Sequence, residues 1–404
     1  MQEHLARLRD PNPSVRRNAV WALGSMGTAA ATPEVFQALA ERLLQDEEGW
    51  VREEAAWALG GMGKAAATPE VLEALIQALR KDKVWGVRRT AAWALGWMGA
   101  AAATPKVLGA LVERLLRDAD GGVRWEAAWA LGVMGEAAAT PEVLGALIQR
   151  LREDEGGWVR QAAAWALGRM GTAAARPEVL RSLVQCLRKD EFGVVRMAAA
   201  EAMGEMGKTA AQKEVIQALV QALRDRDPDV RQKAAEALRQ LLPAHPEALR
   251  NFLRVLPVPM TPQETQALKG VLRAYRGAVP AVRALLSDPD PKVRAGAVWA
   301  LGGVGSAAAT PKVIRALLSD PDPRVRAGAV WALGWMGKAA ATPEIIRDLL
   351  TRRLDEAPNV RTAALEVLRK LPVSPETVSA VLRDIRGDEP EAGEATAWAL
   401  ERLG

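Results

Sequence analysis

Residues 51–60 read VREEAAWALG, and close copies of this stretch return every 36 residues through the first half of the chain. The Val-Arg pair of each copy stands at residues 15–16, 51–52, 87–88, 123–124, 159–160 and 195–196, and with looser spacing at 230–231, 293–294, 325–326 and 360–361. A fixed period of this size is typical of a solenoid, in which each unit buries its apolar face only against its neighbours. We therefore expect the 404 residues to form one elongated array instead of several globular domains.

The repeat from Thr68 to Gly99 shows what one unit contains. Thr68, Pro69 and Glu70 form a helix start, because Thr caps free backbone N–H groups, Pro has no N–H to lose and Glu favours the positive end of the helix dipole. Apolar residues follow helical spacing over 71–79, a polar corner covers 80–83, and a second helix is expected over 87–98. A glycine and a loop of small residues lead to the next repeat. The sequence thus predicts helix, tight corner, helix and loop.

An Asp stands six residues before the Arg of every copy. The pairs are 10/16, 46/52, 82/88, 118/124, 154/160, 190/196, 225/231, 288/294, 320/326 and 355/361. Such a row could in principle be a catalytic or ligand-binding array. However, a residue that every repeat needs serves the repeat, so we predict an Asp/Arg ladder that ties adjacent corners together.

The D-x5-R step, followed by V-R-x-x-A-A-x-A-L-G on the second helix, resembles the HEAT repeat over nearly the whole chain. It is similar in particular to the short HEAT-like units of phycobilisome lyase subunits, which also recur in arrays behind bacterial NACHT-type NTPases. The resemblance implies an all-α, right-handed α–α superhelix of about 12 helix pairs, with the second helices lining its concave side. It implies no single function, because these repeats serve many unrelated ones.

The regularity of the repeats divides the chain into three parts. Residues 1–239 form regular HEAT-like repeats. Residues 240–278 form a degenerate helix pair, roughly 246–256 and 262–276, that prolines at 243, 246, 257, 259 and 262 interrupt. Residues 279–404 return to HEAT-like repeats, and we expect the last pair, 374–404, to be a C-terminal cap with a polar outer face.

The chain has 14 Trp but only 3 Phe and 1 Tyr, which indicates a special use for Trp. At about 100° per residue, Ala55, Ala58, Leu59 and Met62 share one direction on their helix, and Trp57 points about 145° away from it. The equivalent position in other copies is Glu201, Glu236 or Glu366. Because a position that accepts Glu is in contact with water, we expect this Trp position to face outward.

Neighbours one turn away share that face, and successive helices pack about 8–10 Å apart, so the indoles should form a row along the groove. The candidate partner-binding residues on the concave face are Trp21, Trp57, Trp93, Trp97, Trp125, Trp129, Trp165, Trp299, Trp331 and Trp335. The alternative is a structural stripe in which the rings only pack against one another. For Trp50, Trp85 and Trp158, which precede the second helices, packing in the core or at the corner is favoured.

The charges beside the row argue against nucleic acid as the partner. Three arginines (residues 17, 89 and 169) share the face with three glutamates (residues 53, 126 and 205), whereas a groove that follows phosphates would show one sign. The net charge of +5 is also small for a chain of this length.

Catalytic and metal-binding patterns are missing from the sequence. His4 and His245 are the only histidines and Cys186 is the only cysteine, so we predict no metal cluster, no Cys/His nucleophile, no cofactor and no enzymatic activity. We expect Cys186 to be an inert core thiol. The N-terminus lacks a signal pattern and no apolar run reaches the roughly 18 residues that span a bilayer, so a cytoplasmic protein without a membrane partner is expected.

Three functions follow from these features. The first is a non-enzymatic scaffold or sensor module that binds a protein or peptide along the Trp row, with the indoles as energetic anchors. The second, implied by the resemblance to phycobilisome lyases, is a tetrapyrrole carrier or lyase-type protein. The third is a purely structural or designed repeat scaffold, since repeats this alike arise by recent duplication or by consensus design.

Overall fold

The computed structural model describes residues 1–242, 246–256, 278–304, 310–384, 393 and 396–399. These residues form helices and short connections, and no β-strand occurs among them. The predicted all-α solenoid of tandem helix pairs is therefore confirmed. Its contacts group the chain into two compact units. The first comprises Met1–Ala210 and Asp227–Lys233, and the second Ala211–Arg226 and Ala234–Gly404.

The first unit contains six first helices and six second helices in strict alternation. They are α1 (Gln2–Arg7), α2 (Pro13–Ser25), α3 (Pro33–Gln45), α4 (Gly49–Gly61), α5 (Pro69–Lys81), α6 (Trp85–Met98), α7 (Pro105–Arg117), α8 (Gly121–Met134), α9 (Pro141–Glu153), α10 (Gly157–Arg169), α11 (Pro177–Lys189) and α12 (Gly193–Glu205).

The predicted Thr caps begin the first helices. Thr68 Oγ1 accepts a hydrogen bond from the N–H of Val71 at 3.4 Å, and Pro69 occupies the first helical position. Thr32, Thr104 and Thr140 cap α3, α7 and α9 in the same way. These four first helices thus start at the Thr-Pro pair that the sequence indicated.

A glycine with positive φ follows each second helix from α2 to α12. Gly63, for example, has φ 57°, a conformation that residues with a Cβ rarely adopt. It opens one turn of 3₁₀ helix, Gly63–Ala66, which brings the chain to the Thr cap of the next first helix. The Met-Gly pair at the end of every regular copy therefore sets the reversal of direction between repeats.

The helices of the first unit form two layers. Each second helix packs against the second helices before and after it, and the first helices from α3 to α11 pack against one another in the same order. The core lies between the layers, where Ala55, Ala58, Leu59 and Met62 are buried as the rotation along α4 predicted. The opposite side of the second helices forms a separate surface, which carries the Trp row.

The helices of the second unit are less uniform in length than those of the first unit. They are α13 (Lys213–Ala222), α14 (Pro228–Leu241, whose residues up to Lys233 belong to the first unit), α15 (Pro246–Val255), α16 (Ala278–Ala284), α17 (Pro291–Val304), α18 (Pro311–Arg315), α19 (Pro323–Met336), α20 (Pro343–Arg352), α21 (Pro358–Lys370) and α22 (Pro375–Asp384).

The helix expected at 246–256 corresponds to α15, whereas its partner expected at 262–276 lies outside the described residues. The prolines at 243, 257, 259 and 262 and most of the expected cap beyond α22 lie outside them too. The three-part division of the chain stays a prediction.

The Asp/Arg ladder joins successive repeats. Arg124 Nε and Nη2 donate to the two carboxylate oxygens of Asp154 at 2.8 and 3.1 Å. Its Nη1 donates to the backbone carbonyls of Asp118 and Ala119 at 3.0 and 3.1 Å. The same bidentate pairing joins Arg16 to Asp46, Arg52 to Asp82, Arg88 to Asp118, Arg160 to Asp190, Arg250 to Asp288, Arg294 to Asp320 and Arg326 to Asp355.

The predicted ladder is confirmed, and the structure shows which Arg each Asp binds. An Asp six residues before an Arg offers its backbone carbonyl to that Arg, while its carboxylate accepts from the Arg of the preceding repeat. Within one repeat, the six-residue step from Asp to Arg spans the corner between the two helices. Between repeats, the bonded Arg and Asp are 30 residues apart in the regular block.

No helix in the described part of the chain is long and apolar enough to cross a membrane.

Candidate functional site

The Trp residues at 57, 93, 129 and 165 lie on the outer side of the second-helix layer, each with one ring edge packed on a glycine of the preceding second helix. A Cβ added to Gly60 would lie 2.6 Å from Cζ3 of Trp93, and one added to Gly96 would lie 2.6 Å from Cζ3 of Trp129. The final glycine of W-A-L-G thus leaves room for the indole of the next repeat. The Trp residues at 57, 93, 129 and 165 are consequently partly buried, neither sealed between the layers nor fully exposed.

In the first unit, indoles contact one another from Trp93 through Trp97 to Trp129. The ring centroids of Trp93 and Trp97 are 5.7 Å apart, and those of Trp97 and Trp129 are 6.2 Å apart. Trp97 keeps 55% of its surface exposed, and Trp21 keeps 56%. These indoles therefore keep accessible surface and at the same time pack against the backbone of neighbouring helices.

Three clefts open along this row. The first, called here the mixed-charge cleft, has a volume of about 700 Å³ and is lined by Arg17, Trp21, Trp50, Glu53, Glu54, Trp57, Arg89, Thr90, Trp93 and Glu126. The second, the apolar cleft, has a volume of about 730 Å³ and is lined by Gly121, Gly122, Trp125, Trp129, Gly156, Trp158, Val159, Gln161, Ala162, Trp165, Met197, Ala198 and Glu201. The third is smaller, about 400 Å³, and is lined by Trp97, Trp129, Val133, Trp165, Arg169 and Glu205.

Shared residues connect these clefts into one surface. Trp129 and Trp165 line both the apolar cleft and the smaller one, and the contact between Trp93 and Trp97 joins the smaller one to the mixed-charge cleft. The predicted mixture of Arg and Glu beside the row is present. For example, Arg169 lies over the ring of Trp165 at 5.9 Å, and Glu205 lines the same cleft.

Burial raises the pKa of two glutamates on this surface. For Glu126 the pKa rises to about 7, because burial disfavours the charged carboxylate more than nearby Arg89 favours it. For Glu205, burial raises the pKa and neighbouring Glu201 adds to the effect, against Arg169 and Lys233, which lower it. These are the groups on the row whose charge depends most on their surroundings.

The expectation that Trp299 faces solvent is wrong, since only 1% of its surface is exposed. The reason lies in the next second helix, where Gly328 has no side chain, so that a Cβ there would lie 3.0 Å from the Trp299 ring. Trp335 covers the ring edge-on, with centroids 4.6 Å apart. In the first unit, Glu126 occupies the position that corresponds to Gly328. Trp331 and Trp335 stay partly exposed.

The corner tryptophans are surface residues and not core residues. Trp158 is 71% exposed and lines the apolar cleft, and Trp50, also exposed, lines the mixed-charge cleft. Trp85 is exposed as well and lies 4.9 Å from the guanidinium carbon of Arg89. Trp50 and Trp158 each stand two residues before the Arg of the ladder, at the exposed start of a second helix, and this position is the signal that could have placed them on this surface.

The described residues contain no group of three or more His, Cys, Asp or Glu side chains that could hold a metal ion. Cys186 is buried, and burial raises the pKa of its thiol to about 11, which keeps it protonated at neutral pH. It packs as the core thiol that was expected.

The repeat geometry and the family comparison agree. HEAT repeats match residues 2–75, 36–132, 108–204, 180–269, 279–353 and 316–404, which together cover most of the chain. The chain belongs to the HEAT-repeat family. No curated protein matches it.

Solved structures with similar folds include a karyopherin and an engineered protein. The karyopherin Kap121p, bound to the extreme C-terminus of the protein phosphatase Cdc14p, is 15% identical with a TM-score of 0.54, and the match covers 99% of this chain and 49% of that one. Kap95p, from a structure with RanGDP, is 14% identical with a TM-score of 0.46, over 99% of this chain and 60% of that one. The engineered protein is 22% identical with a TM-score of 0.43, over 91% and 98%. This HEAT-repeat chain thus spans about half the length of the karyopherins it matches.

Proposed function

We propose that this HEAT-repeat protein is a non-enzymatic scaffold that binds a protein or peptide segment along the Trp row of its first unit. The observation that carries the proposal is the set of indoles between Trp21 and Trp165 that line clefts of about 700 and 730 Å³ and that are linked by the ring contacts from Trp93 through Trp97 to Trp129. Exposed apolar surface of this extent is a liability unless a partner covers it.

The lining of the row favours a protein partner over a nucleic acid. Trp is the residue type most enriched among the energetic anchors of protein interfaces, where it fills desolvated pockets. Acidic and basic groups both line these clefts, whereas a phosphate backbone would require an excess of basic ones. Kap121p is bound to a protein segment in its structure, but the likeness to it concerns the fold alone.

The resemblance to arrays of NACHT-type proteins adds a finer element to the proposal. A repeat array of that kind would sense or position a ligand while another polypeptide carries the NTPase switch. In this scheme the Trp row is the recognition surface, and any nucleotide-dependent step belongs to the partner.

Comparative capture of binding partners tests the proposal. Full-length protein and a triple variant, Trp57→Glu, Trp93→Glu and Trp129→Glu, are used as bait, and captured proteins are identified by mass spectrometry and then titrated in purified form by calorimetry. The fold should survive, since α12 carries Glu201 at the same position. Each lost anchor should weaken binding by about 2 kcal/mol.

The matched control adds three negative charges elsewhere. Gln37→Glu, Gln77→Glu and Gln185→Glu lie at exposed positions of the first helices α3, α5 and α11. A partner that the wild type and this control bind equally, and the Trp variant does not, supports the row as the interface. Equal binding by all three proteins contradicts the proposal. Loss of helical circular dichroism in the Trp variant alone would instead favour the structural stripe.

The tetrapyrrole alternative is tested on the same preparations. Titration with bilin should leave both the bilin absorbance and the Trp fluorescence unchanged if the row binds protein. A saturable absorbance shift that the triple Trp variant abolishes would favour the carrier function instead.

A further inference from the structure

The mixed-charge cleft contains a buried carboxylate whose polar atoms are incompletely paired. Glu126, on α8, lines the cleft but exposes only 6% of its surface. Its Oε1 is buried and accepts no hydrogen bond. Burying a carboxylate oxygen removes its hydrogen bonds to water, and without a protein donor nothing offsets that desolvation penalty. The hydrogen bonding of this site is therefore incomplete.

The other charges of the cleft are already paired with each other. Arg17 Nε lies 2.9 Å from Glu54 Oε2, and Arg89 Nη2 lies 3.7 Å from Glu53 Oε1. Two arginines and three glutamates therefore leave one negative charge, that of Glu126, without a partner of its own. The cleft is complementary to one additional cation.

The apolar part of the lining suits a cation of a particular kind. Trp21, Trp57 and Trp93 line the same cleft as Glu126. Indole rings attract organic cations such as guanidinium and alkylammonium through their π faces and shield the attached methylene chain from water. A strongly hydrated inorganic ion would gain nothing from these rings, whereas an amino-acid side chain gains from both the rings and the carboxylate.

From these contacts we infer that the mixed-charge cleft receives a single basic side chain, Arg or Lys, of the partner segment, with its cationic head at Glu126 and its stem against Trp57 and Trp93. This inference rests on the proposed function and specifies the chemistry of the partner at one point of the row. The adjoining apolar cleft lacks such a carboxylate at its equivalent position, which is Ala162. The partner would therefore be held in one register along the row.

The raised pKa of Glu126 provides a signature of its own. Burial raises this pKa to about 7, so the free carboxylate gains its charge between about pH 6 and 8. The charged groups that share the cleft are Arg17 on α2, Glu53 and Glu54 on α4, and Arg89 on α6. A bound cation would lower the pKa of Glu126, and by linkage its affinity should rise with pH across this range.

The experiment uses the full chain labelled with 5-fluorotryptophan and three small probes. N-acetyl-arginine amide and N-acetyl-lysine amide each carry one charge, and N-acetyl-citrulline amide is the neutral isostere of the first. At pH 8, ¹⁹F resonances assigned to Trp57 and Trp93 should shift saturably with the two cationic probes and not with the citrulline probe. The affinity should fall by about tenfold on lowering the pH from 8 to 6, in step with protonation of one carboxylate.

Substitutions at one carboxylate locate the effect. Glu126→Gln should weaken binding of the cationic probes by about tenfold, as expected for one charge-assisted hydrogen bond, and should remove the pH dependence. Glu126→Thr installs the residue that α6 has at the same position, Thr90, and serves as a second variant that the repeat accommodates. Glu142→Gln removes one exposed charge from α9 and should leave binding unchanged.

Three outcomes would overturn the inference: no saturable shift with either cationic probe, equal binding of the citrulline probe, or unchanged affinity in both Glu126 variants. Each can be told apart from failure of the proposed function. If the triple Trp variant still loses its protein partner, the row remains an interface and only the cation site is refuted. If that variant binds the partner normally, the proposed function fails whatever the probes show.

Discussion

Arg124 and Glu126, two residues apart on α8, are both buried charged residues, but their surroundings differ. Arg124 makes four hydrogen bonds to oxygens of Asp154, Asp118 and Ala119. Glu126 has a buried oxygen without any. A buried charge is tolerated when donors and acceptors match it, and it is costly otherwise. The first residue therefore stabilises the fold, and the second is the residue on which the proposed cation site rests.

Arg124→Ala should destabilise the protein strongly, because it leaves the buried Asp154 carboxylate without its bidentate donor. We expect a loss of roughly 3–5 kcal/mol in the free energy of unfolding, measured by urea denaturation. Arg117→Ala, which removes an exposed Arg from α7, is the control and should change stability by less than about 0.5 kcal/mol. Equal midpoints for the two variants would contradict a stabilising ladder.

The ladder should also fail in acid. Burial tends to raise the pKa of Asp154, but the hydrogen bonds from Arg124 and from the N–H of Gly156 outweigh it, so the net pKa is lowered below its usual 3.8. A lowered carboxylate pKa contributes stability at higher pH that is lost as the pH falls through the folded-state value. We expect unfolding free energy to fall below about pH 4 in the wild type, and less steeply in Asp154→Asn.

Glu126 should give the opposite pH dependence. Because its pKa is raised from 4.5 to about 7 in the folded state, the folded protein holds a proton that the unfolded chain releases. Stability should therefore fall as pH rises from about 4.5 to 7, by up to roughly 3 kcal/mol, and level off above that. Thermal unfolding of Glu126→Gln, measured from pH 5 to 8, should lack this fall in stability. Identical pH profiles for the variant and the wild type would refute the prediction.

At the level of helices, W-A-L-G is a packing device between neighbouring second helices. Gly60 of α4 leaves space for the Trp93 ring and the Ala94 backbone of α6, and Gly24, Gly96 and Gly132 do the same for the next helix in each case. Small residues allow the second helices to approach closely, and the Trp edge fills what remains. The Trp row thus combines a structural edge with an accessible face.

Two adjacent glycines offer a matched test of this packing. A Cβ in Gly60→Ala would lie 2.6 Å from Trp93 Cζ3 and 2.8 Å from Ala94 Cα, so the helices must separate, at an expected cost of about 1–3 kcal/mol. In Gly61→Ala the nearest atom, the Gly24 carbonyl oxygen, is 3.8 Å away. That variant should be neutral or more stable by up to about 1 kcal/mol, since Ala favours helix. Equal denaturation midpoints for Gly60→Ala and Gly61→Ala would contradict the close packing.

At the scale of the whole chain, the described helices of each unit contact mainly the repeats next to them, as expected of a solenoid. Most contacts among the helices join α-helices that are one or two elements apart in the chain. Stability in such an array is approximately a sum over repeats and the interfaces between them. A local defect should therefore stay local.

Hydrogen exchange measured by mass spectrometry can test this locality. Arg124→Ala should speed amide exchange in α8, α10 and the helices that contact them, because the lost bond joins these two repeats. Exchange in α19 and α20 of the second unit should match the wild type. Uniformly faster exchange throughout the chain would indicate global cooperative unfolding instead.

The sequence by itself determined the helix pairs, their Thr caps, the buried face of the second helices and the Asp/Arg ladder. These features depend on residues close together in the chain, repeated at a fixed step, so periodicity and capping chemistry suffice to find them. It also determined which side of α4 and α6 carries Trp57 and Trp93, because rotation along a helix is a local property.

Only the tertiary structure decided how much of each indole is exposed and which charge lacks a partner. Trp299 follows the same rotation as Trp93 but is buried, since Gly328 of the next second helix leaves space where the first unit has Glu126. Glu126 and Glu54 occupy equivalent positions, but only Glu54 has an Arg within 2.9 Å. Such outcomes depend on side chains about a repeat away, which meet only when neighbouring helices pack.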